Sequence, residues 1–501
     1  MLIRAMKPHR RREPDVTARC AIKGGTIVAF QDGVHRILKD GVVVYQGDEI
    51  IHVGPDWDGP LDEVIDAAGK LVSPGFISVH CHAISHPGDR VVVDGGRRDL
   101  LRTGFITYVA TKLSGGPGFS SREDWEASHR FGFATLLKNG VTTVVQLDGG
   151  PLDEGRTVTR IIGESGMRAY YGPVFNGGDY FFDSEGKLVC RRDEDAALQG
   201  LKEATAYIER HHEDFGGKLR GILVLDELFN ATPRILAETK SAAEALRVKT
   251  TLHVSEQLFE FHEILRRTGK TPVGWMDEVG FLDEDVILGH CVYVSGHPLT
   301  GYPFAGDLEL LQRSGAFVAH SPVALSRRGV ALQSFQRYLD AGIRLAIGTD
   351  SYPNDIIAEM RAASIIGKLV EANNESASAR DVFNAATLGG AAALGRDDLG
   401  RIAKGAKADF TLIDMTALTV GPVRDPIKAL IHAGGGHLVD TVIVGGDVLM
   451  RGKRLTMWDE HEILAGAQAG SDRVWESFGD YHWSGRPIDE IFPQSFGQWK
   501  P

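Results

Sequence analysis

The sequence predicts an α/β fold, a (β/α)8 barrel carrying a small β-sandwich built from both chain ends. Three observations predict it. Eight apolar runs alternate with amphipathic helical stretches over about 280 residues, the size of a closed barrel of eight βα units. The runs are apolar throughout instead of alternating, as strands buried on both faces of a parallel sheet are. Polar residues gather at the C-terminal ends of those runs, where such barrels place their sites. A doubly wound open sheet is the competing architecture. The count of eight and the polar strand ends favour the barrel.

In chain order, the N-terminus carries a basic cluster, Lys7-Pro8-His9-Arg10-Arg11-Arg12, which reads as a solvated tail. Short strands separated by Gly-rich or Asp-Gly turns follow at Ala21–Phe30, Asp40–Tyr45 and Glu49–Gly54. From Leu71 the pattern changes. The eight runs are Val72–His82, Val141–Asp148, Arg168–Asn176, Leu219–Leu228, Lys249–Gln257, Val286–Val294, Ala316–Ala324 and Arg344–Ser351. Helical patterns lie between them, clearest at Arg122–Lys138, Ala196–His211, Pro233–Arg247 and Leu308–Ser314. After about Gly400 strand patterns return at Asp409–Asp414 and Asp440–Met450. The expected divisions are 1–72 (tail and first half of the sandwich), 73–400 (barrel), 401–455 (second half of the sandwich) and 456–501 (C-terminal arm). The arm's aromatics, among them Trp475, Trp483, Phe492, Phe496 and Trp499, predict docking on this chain or on a neighbouring subunit. The Gly-rich segment from Ala83 to Ser121 predicts a lid or pocket wall.

Composition removes several function classes. A net charge of −12 over 501 residues leaves no cation excess for phosphates, so nucleic acid is not an expected partner. No apolar segment reaches the ~18 residues that span a bilayer, so no membrane partner is expected either. The four cysteines form no CxxC pair, which argues against a disulfide framework and fits a reducing cytoplasm. A small-molecule substrate and a homo-oligomer remain as the expected partners.

Chemistry concentrates at the strand ends. His80 and His82 are spaced to project from one face of the first strand, which suits a divalent metal. His253 and Glu256 end the fifth run, His290 the sixth, His320 the seventh and Asp350 the eighth. Each alone is an ordinary strand-end polar group. Five strands converging on one barrel mouth turn them into a site.

The series PGFxxxHxH (74–82), HxxE (253–256), GHC (289–291), HSP (320–322) and GTDS (348–351) resembles the amidohydrolase superfamily, in its cytosine deaminase, guanine deaminase and triazine hydrolase branch. The stretches Ala386–Gly395 and Gly400–Phe410 resemble that family's exit from barrel to sandwich. The resemblance implies one divalent transition metal held by His80, His82, His253 and Asp350, with zinc first and iron, manganese or cobalt also compatible with N/O ligands. It implies that Asp350 and His290 orient a water and accept its proton, that Glu256 carries a proton to the substrate, and that His320 lies on the substrate side. Binuclear members use a modified lysine on strand four. This strand reads Gly221–Leu228 without lysine, so one ion is expected. Asp226 and Glu227 on that strand are either substrate contacts or an exposed pair. Relatives acting on purines and triazines place Ser-Asn shortly after the strand-seven motif, where this chain has Ala324-Leu325. Arg327 and Arg328 follow, able to bind a carboxylate or polar rim of substrate, or to belong to a solvated loop.

The implied reaction is hydrolytic deamination or displacement at an sp² carbon of a nitrogen heterocycle. The alternative is hydrolysis of an amide, urea or carbamate C–N bond by the same site. A catalytically inactive binding barrel is disfavoured by the intact ligand set together with Glu256 and His290.

Overall fold

A computed structural model describes residues 18–91, 93, 96–101, 118–148 and 152–499. The basic cluster at 7–12 lies outside the described residues, as does the 102–117 part of the expected lid.

The first strands are β1 (Arg19–Gln31), β2 (Val34–Gln46), β3 (Glu49–Gly54), β4 (Glu63–Asp66) and β5 (Lys70–Pro74). The last are β18 (Phe410–Asp414), β19 (Val439–Val444), β20 (Asp447–Arg451) and β21 (Arg454–Leu455). All nine join in one hydrogen-bonded sheet, because β5 pairs antiparallel with β18 from Lys70↔Asp414 to Pro74↔Phe410. The two chain ends therefore meet as one continuous sheet.

Between them run β6 (Phe76–Cys81), β7 (Val141–Gln146), β8 (Arg168–Tyr171), β9 (Val174–Phe175), the hairpin β10 (Gly178–Phe182) and β11 (Leu188–Arg192), β12 (Leu219–Arg220), β13 (Leu223–Glu227), β14 (Thr250–Val254), β15 (Val286–His290), β16 (Phe317–His320) and β17 (Arg344–Ile347). The predicted helices appear at Arg122–Lys138, Glu194–His211, Pro233–Leu246 and Asp307–Ser314. Each of the first three begins at a side-chain cap, from Ser121, Asp193 and Thr232.

The parallel strands form two sheets, β6-β7-β8-β12 and β9-β13-β14-β15-β16-β17. The single uninterrupted ladder expected from the sequence is broken in its third and fourth strands. Gly172-Pro173 interrupts the third, and proline has no N–H to donate. Gly221-Ile222 interrupts the fourth, and Ile222 O lies so close to Gly172 that a Cβ there would meet it at 2.3 Å. At the opposite seam, a parallel bridge links Cys81 at the end of β6 to Asp350 beyond β17. Side chains from both sheets share one buried cluster, including Ile77, Val79, Val145, Val224, Ile287, Phe317 and Ala346, closed below by Ala391, Leu394 and Leu399.

The arm docks on its own chain. Helix Glu460–Tyr481 packs on helix Arg122–Lys138. Trp475 Nε1 donates to Pro87 O (3.0 Å) and Trp483 Nε1 to Leu100 O (2.8 Å). Among the described residues, no helix is long and apolar enough to cross a membrane.

A buried ion pair ties the appended sheet to the parallel strands. Arg168 Nε donates to Asp409 Oδ2 at 2.7 Å and Nη2 to Oδ1 at 3.2 Å, and Gly445 N also donates to Oδ1. Asp409→Ala leaves a buried guanidinium uncompensated, so unfolding in denaturant should show a loss of about 3–5 kcal/mol. Arg168→Met with Asp409→Leu should recover most of it.

Candidate active site

Backbone hydrogen bonds place the first and last candidate ligands. Thr349 N and Asp350 N both donate to His80 O (3.0 Å each), and His82 N donates to Asp350 O (2.7 Å). Gly289 and Gly348 allow this approach. A Cβ on Gly289 would meet His80 Nδ1 at 2.5 Å, and one on Gly348 would meet His80 Cβ at 2.8 Å. Asp350 takes a left-handed φ of 52°, a conformation that costs an L-residue energy and turns the chain sharply at the strand end.

The predicted ligands meet. Ligand atoms of His80, His82 and Asp350 lie within 4.8 Å of one another, as do those of His80, His253 and His290 and those of Glu256, His290 and Asp350. His82 Nε2 and His253 Nε2 face each other at 3.1 Å. Two nitrogens bound at ~2.0–2.1 Å to one tetrahedral ion stand about 3.3 Å apart. Their other nitrogens are held. His82 Nδ1 bonds Asp148 Oδ1 (2.8 Å), and His253 Nδ1 bonds Asp226 O (2.6 Å). With Nδ1–H donating, each Nε2 lone pair is left for a cation.

Both ring nitrogens of His80 are buried without a hydrogen-bond partner, and so are both of His290. Orphaned buried imidazoles are costly in a folded protein. A divalent cation fits them, with His80, His82, His253 and Asp350 as donors and His290 beside Asp350.

Electrostatics follow from the crowding. Burial pushes His80, His253 and His290 down, helped by neighbouring imidazoles. Burial also opposes charge on His82, but Asp148, by charge and hydrogen bond, lifts it to about 10. Burial and then the Asp350 charge push Glu256 up to about 8, into the range of an acid active at neutral pH. Glu256 Oε1 and Asp350 Oδ2 stand 4.0 and 3.9 Å from His290 Nε2. His320 is buried, its ring 5.8 Å from Phe335 and its pKa pushed down to about 3 by burial. Asp226 orients His253 through its main-chain oxygen, while its carboxylate accepts from Asn176 Nδ2 (2.8 Å). Glu227 accepts from Tyr180 OH (3.1 Å). Arg328 Nη1 lies 3.9 Å from Glu256 Oε1, whereas Arg327 Nη1 donates to Tyr352 O.

Sequence reasoning missed three participants. Asp148 closes the second apolar run, the same signal that marked the other strand ends. Its Oδ2 also accepts from Ile84 N (2.7 Å) and Gln146 Nε2 (3.0 Å). Glu260 takes Glu256 N (3.1 Å) from one helical turn away. Asp89 lies in the Gly-rich segment, and nothing in its local pattern marks it.

The sequence matches the amidohydrolase family over residues 71–449. The chain belongs to that family and is a hydrolase of C–N bonds. It is 32% identical over 424 residues to the 5-methylthioadenosine/S-adenosylhomocysteine deaminase of Natronomonas pharaonis, covering 84% of this chain and 90% of the relative. An adenosine deaminase from Xanthomonas campestris with bound zinc shares the fold at a TM-score of 0.76 and 22% identity, covering 92% of this chain and 99% of that one. Atrazine chlorohydrolase TrzN from Arthrobacter aurescens TC1, complexed with zinc, superposes at a TM-score of 0.74 and 22% identity, covering 90% of this chain and all of that one.

Asp148→Asn weakens the orientation of His82 while leaving all four donors in place. Metal affinity, measured by competition with a chromogenic chelator, should fall about 10- to 100-fold.

Proposed function

We propose that the protein is a zinc-dependent aminohydrolase that replaces an exocyclic amino group of an adenosine-like nitrogen heterocycle with oxygen and releases ammonia. The observation that carries this reading is Glu256, a buried carboxyl pushed up to about 8, standing beside His290 and Asp350 and three residues past His253. The names of the relatives point the same way.

In this reading His80, His82, His253 and Asp350 hold one ion. The run Leu223–Glu227 offers no lysine for a second. A bound divalent metal supplies Lewis acidity, which lowers the pKa of water to about 7. The protein's own groups do the rest. Asp350 and His290 orient the attacking water and take its proton. Protonated Glu256 donates to the ring nitrogen next to the carbon under attack, and ammonia then leaves with a proton relayed through the same carboxyl. His320, Asp226 and Glu227 line the substrate side.

We also read the two parallel sheets as one (β/α)8 barrel over residues 73–400. The shared interior cluster and the Cys81–Asp350 bridge support it. The strands at 18–72 and 401–455 form its appended sheet, and 456–501 its arm. The exposed Phe496 and Trp499 at the end of the arm favour a homo-oligomer.

The test is ammonia release by zinc-loaded protein from a panel of adenosine-like nucleosides and amino-heterocycles. Glu256→Gln should lower kcat by about 10²- to 10⁴-fold with metal content retained. Asp350→Asn should lose both metal and turnover. Release of a larger amine from amides, ureas or carbamates, without ammonia from the rings, would replace this reading with the alternative.

A further inference from the structure

We propose that Glu260 is a positioning residue, whose carboxyl holds the turn Ser255-Glu256-Gln257 by its main chain and so aims the Glu256 carboxyl into the site. The inference rests on the reading in which Glu256 carries the proton.

Two nitrogens flank Glu256 Oε1, His290 Nε2 at 4.0 Å and Arg328 Nη1 at 3.9 Å. Both separations exceed hydrogen-bond length, so neither contact sets the direction of the carboxyl. The main chain of the turn is held at several points instead. Ser255 takes a left-handed φ of 52°, which costs an L-residue energy and persists where the surroundings impose it. Its carbonyl accepts from Val292 N (3.0 Å) and Tyr293 N (2.9 Å), and Val254 O accepts from Cys291 N (2.8 Å). These bonds fasten the start of the turn to the residues just after His290. The N–H of Glu256 points the other way and donates to Glu260 Oε2 at 3.1 Å.

The helix Leu258–Thr268 carries Glu260 as its third residue. A glutamate in that place ordinarily reaches back to the main-chain N–H of the residue just before the helix. Here the hydrogen bond goes one residue further, to the N–H of the proton carrier itself. The helix gives this bond a rigid base. Phe261 and Ile264 are fully buried in the core, and Phe261 N donates to Gln257 O (3.2 Å). Glu260 is itself only 4% exposed. Burial pushes its pKa up to about 7, against the main-chain N–H groups of Ser255, Glu256 and Gln257, which favour the ionised form. An apolar side chain would fill this space at less cost, so the acceptor oxygen is the property the turn uses.

A role through charge is the competing account, because the Glu260 carboxylate also raises the pKa of Glu256, after burial and Asp350. Reach and charge separate by substitution. Glu260→Gln keeps the length and a carbonyl acceptor and loses the charge. Glu260→Asp keeps the charge and is one methylene too short.

The test measures ammonia release by zinc-loaded full-length protein from adenosine and 5-methylthioadenosine, together with zinc content and amide hydrogen exchange over residues 255–257. Glu260→Asp should lower kcat by about 10- to 100-fold, with KM within about 3-fold and zinc unchanged. Exchange at the Glu256 amide should quicken at least about 10-fold. Glu260→Gln should stay within about 5-fold of wild type in kcat and keep the amide protected. In the Glu256→Gln background, Glu260→Asp should cost no more than about 3-fold, because the group it positions is already gone. Glu260→Met, which removes the acceptor without burying a charge, replaces Glu260→Asp if that variant does not fold, with the same losses expected. A Glu260→Gln that loses as much as Glu260→Asp overturns the proposal, as does a Glu260→Asp that loses nothing. Unchanged exchange in Glu260→Asp, zinc lost in step with kcat, or a full cost in the Glu256→Gln background overturns it equally. No ammonia from wild type removes the deaminase reading, and the exchange measurement then decides the anchoring by itself.

Discussion

Three main-chain hydrogen bonds at the seam between the first and last parallel strands hold this protein's chemistry together. They run from Thr349 N and Asp350 N to His80 O and from His82 N to Asp350 O. A histidine pair and an aspartate some 270 residues away become neighbours through backbone geometry before any side chain is considered. The rest of the site is built against that seam. Gly289 and Gly348 are bare because the His80 ring and main chain fill the space where their Cβ atoms would lie. The left-handed Asp350 is a local strain that the same hydrogen bonds overcome.

Around the seam the protein accepts an unstable arrangement. Four imidazoles crowd together, two of them buried with both nitrogens unpartnered. Burial and the neighbouring imidazoles depress the proton affinity of His80, His253 and His290. A cation bound by His80, His82, His253 and Asp350 would relieve part of it, which would couple metal binding to local stability. The surrounding carboxylates divide the labour by environment. Both are buried, but Asp148 is held by a histidine, a main-chain N–H and an amide, which keep it ionised, whereas Glu256 faces the carboxylates of Asp350 and Glu260, which add to burial in favouring its proton. Similar groups are thus sorted into different roles, as acid–base sites require.

Support comes from far along the chain. The arm crosses back to hold the segment after β6 through Trp475 and Trp483, and Asp89 and Arg90 lie within that segment. The Arg168–Asp409 pair fastens the sheet of the chain ends to the parallel strands. The outermost elements in sequence therefore brace the loops nearest the chemistry.

Much of this was legible in the residues alone. Apolar runs ending in His80, His82, His253, His290, His320 and Asp350 marked both the parallel strands and the candidate site, because strand periodicity and burial act locally. Helix bounds such as Arg122–Lys138 followed from the apolar period for the same reason. What tertiary structure alone decided is relational. It broke strands three and four at Gly172-Pro173 and Gly221-Ile222, where Ile222 O comes too close to Gly172 for a side chain there. It gave Asp148 the task of orienting His82, and Asp226 a main-chain carbonyl that bonds His253 Nδ1. It also separated Arg327 from Arg328, neighbours with the same side chain, by the partners each one meets. Residue type and spacing set what a group is able to do, whereas its partners depend on distances across the folded chain, which no local pattern encodes.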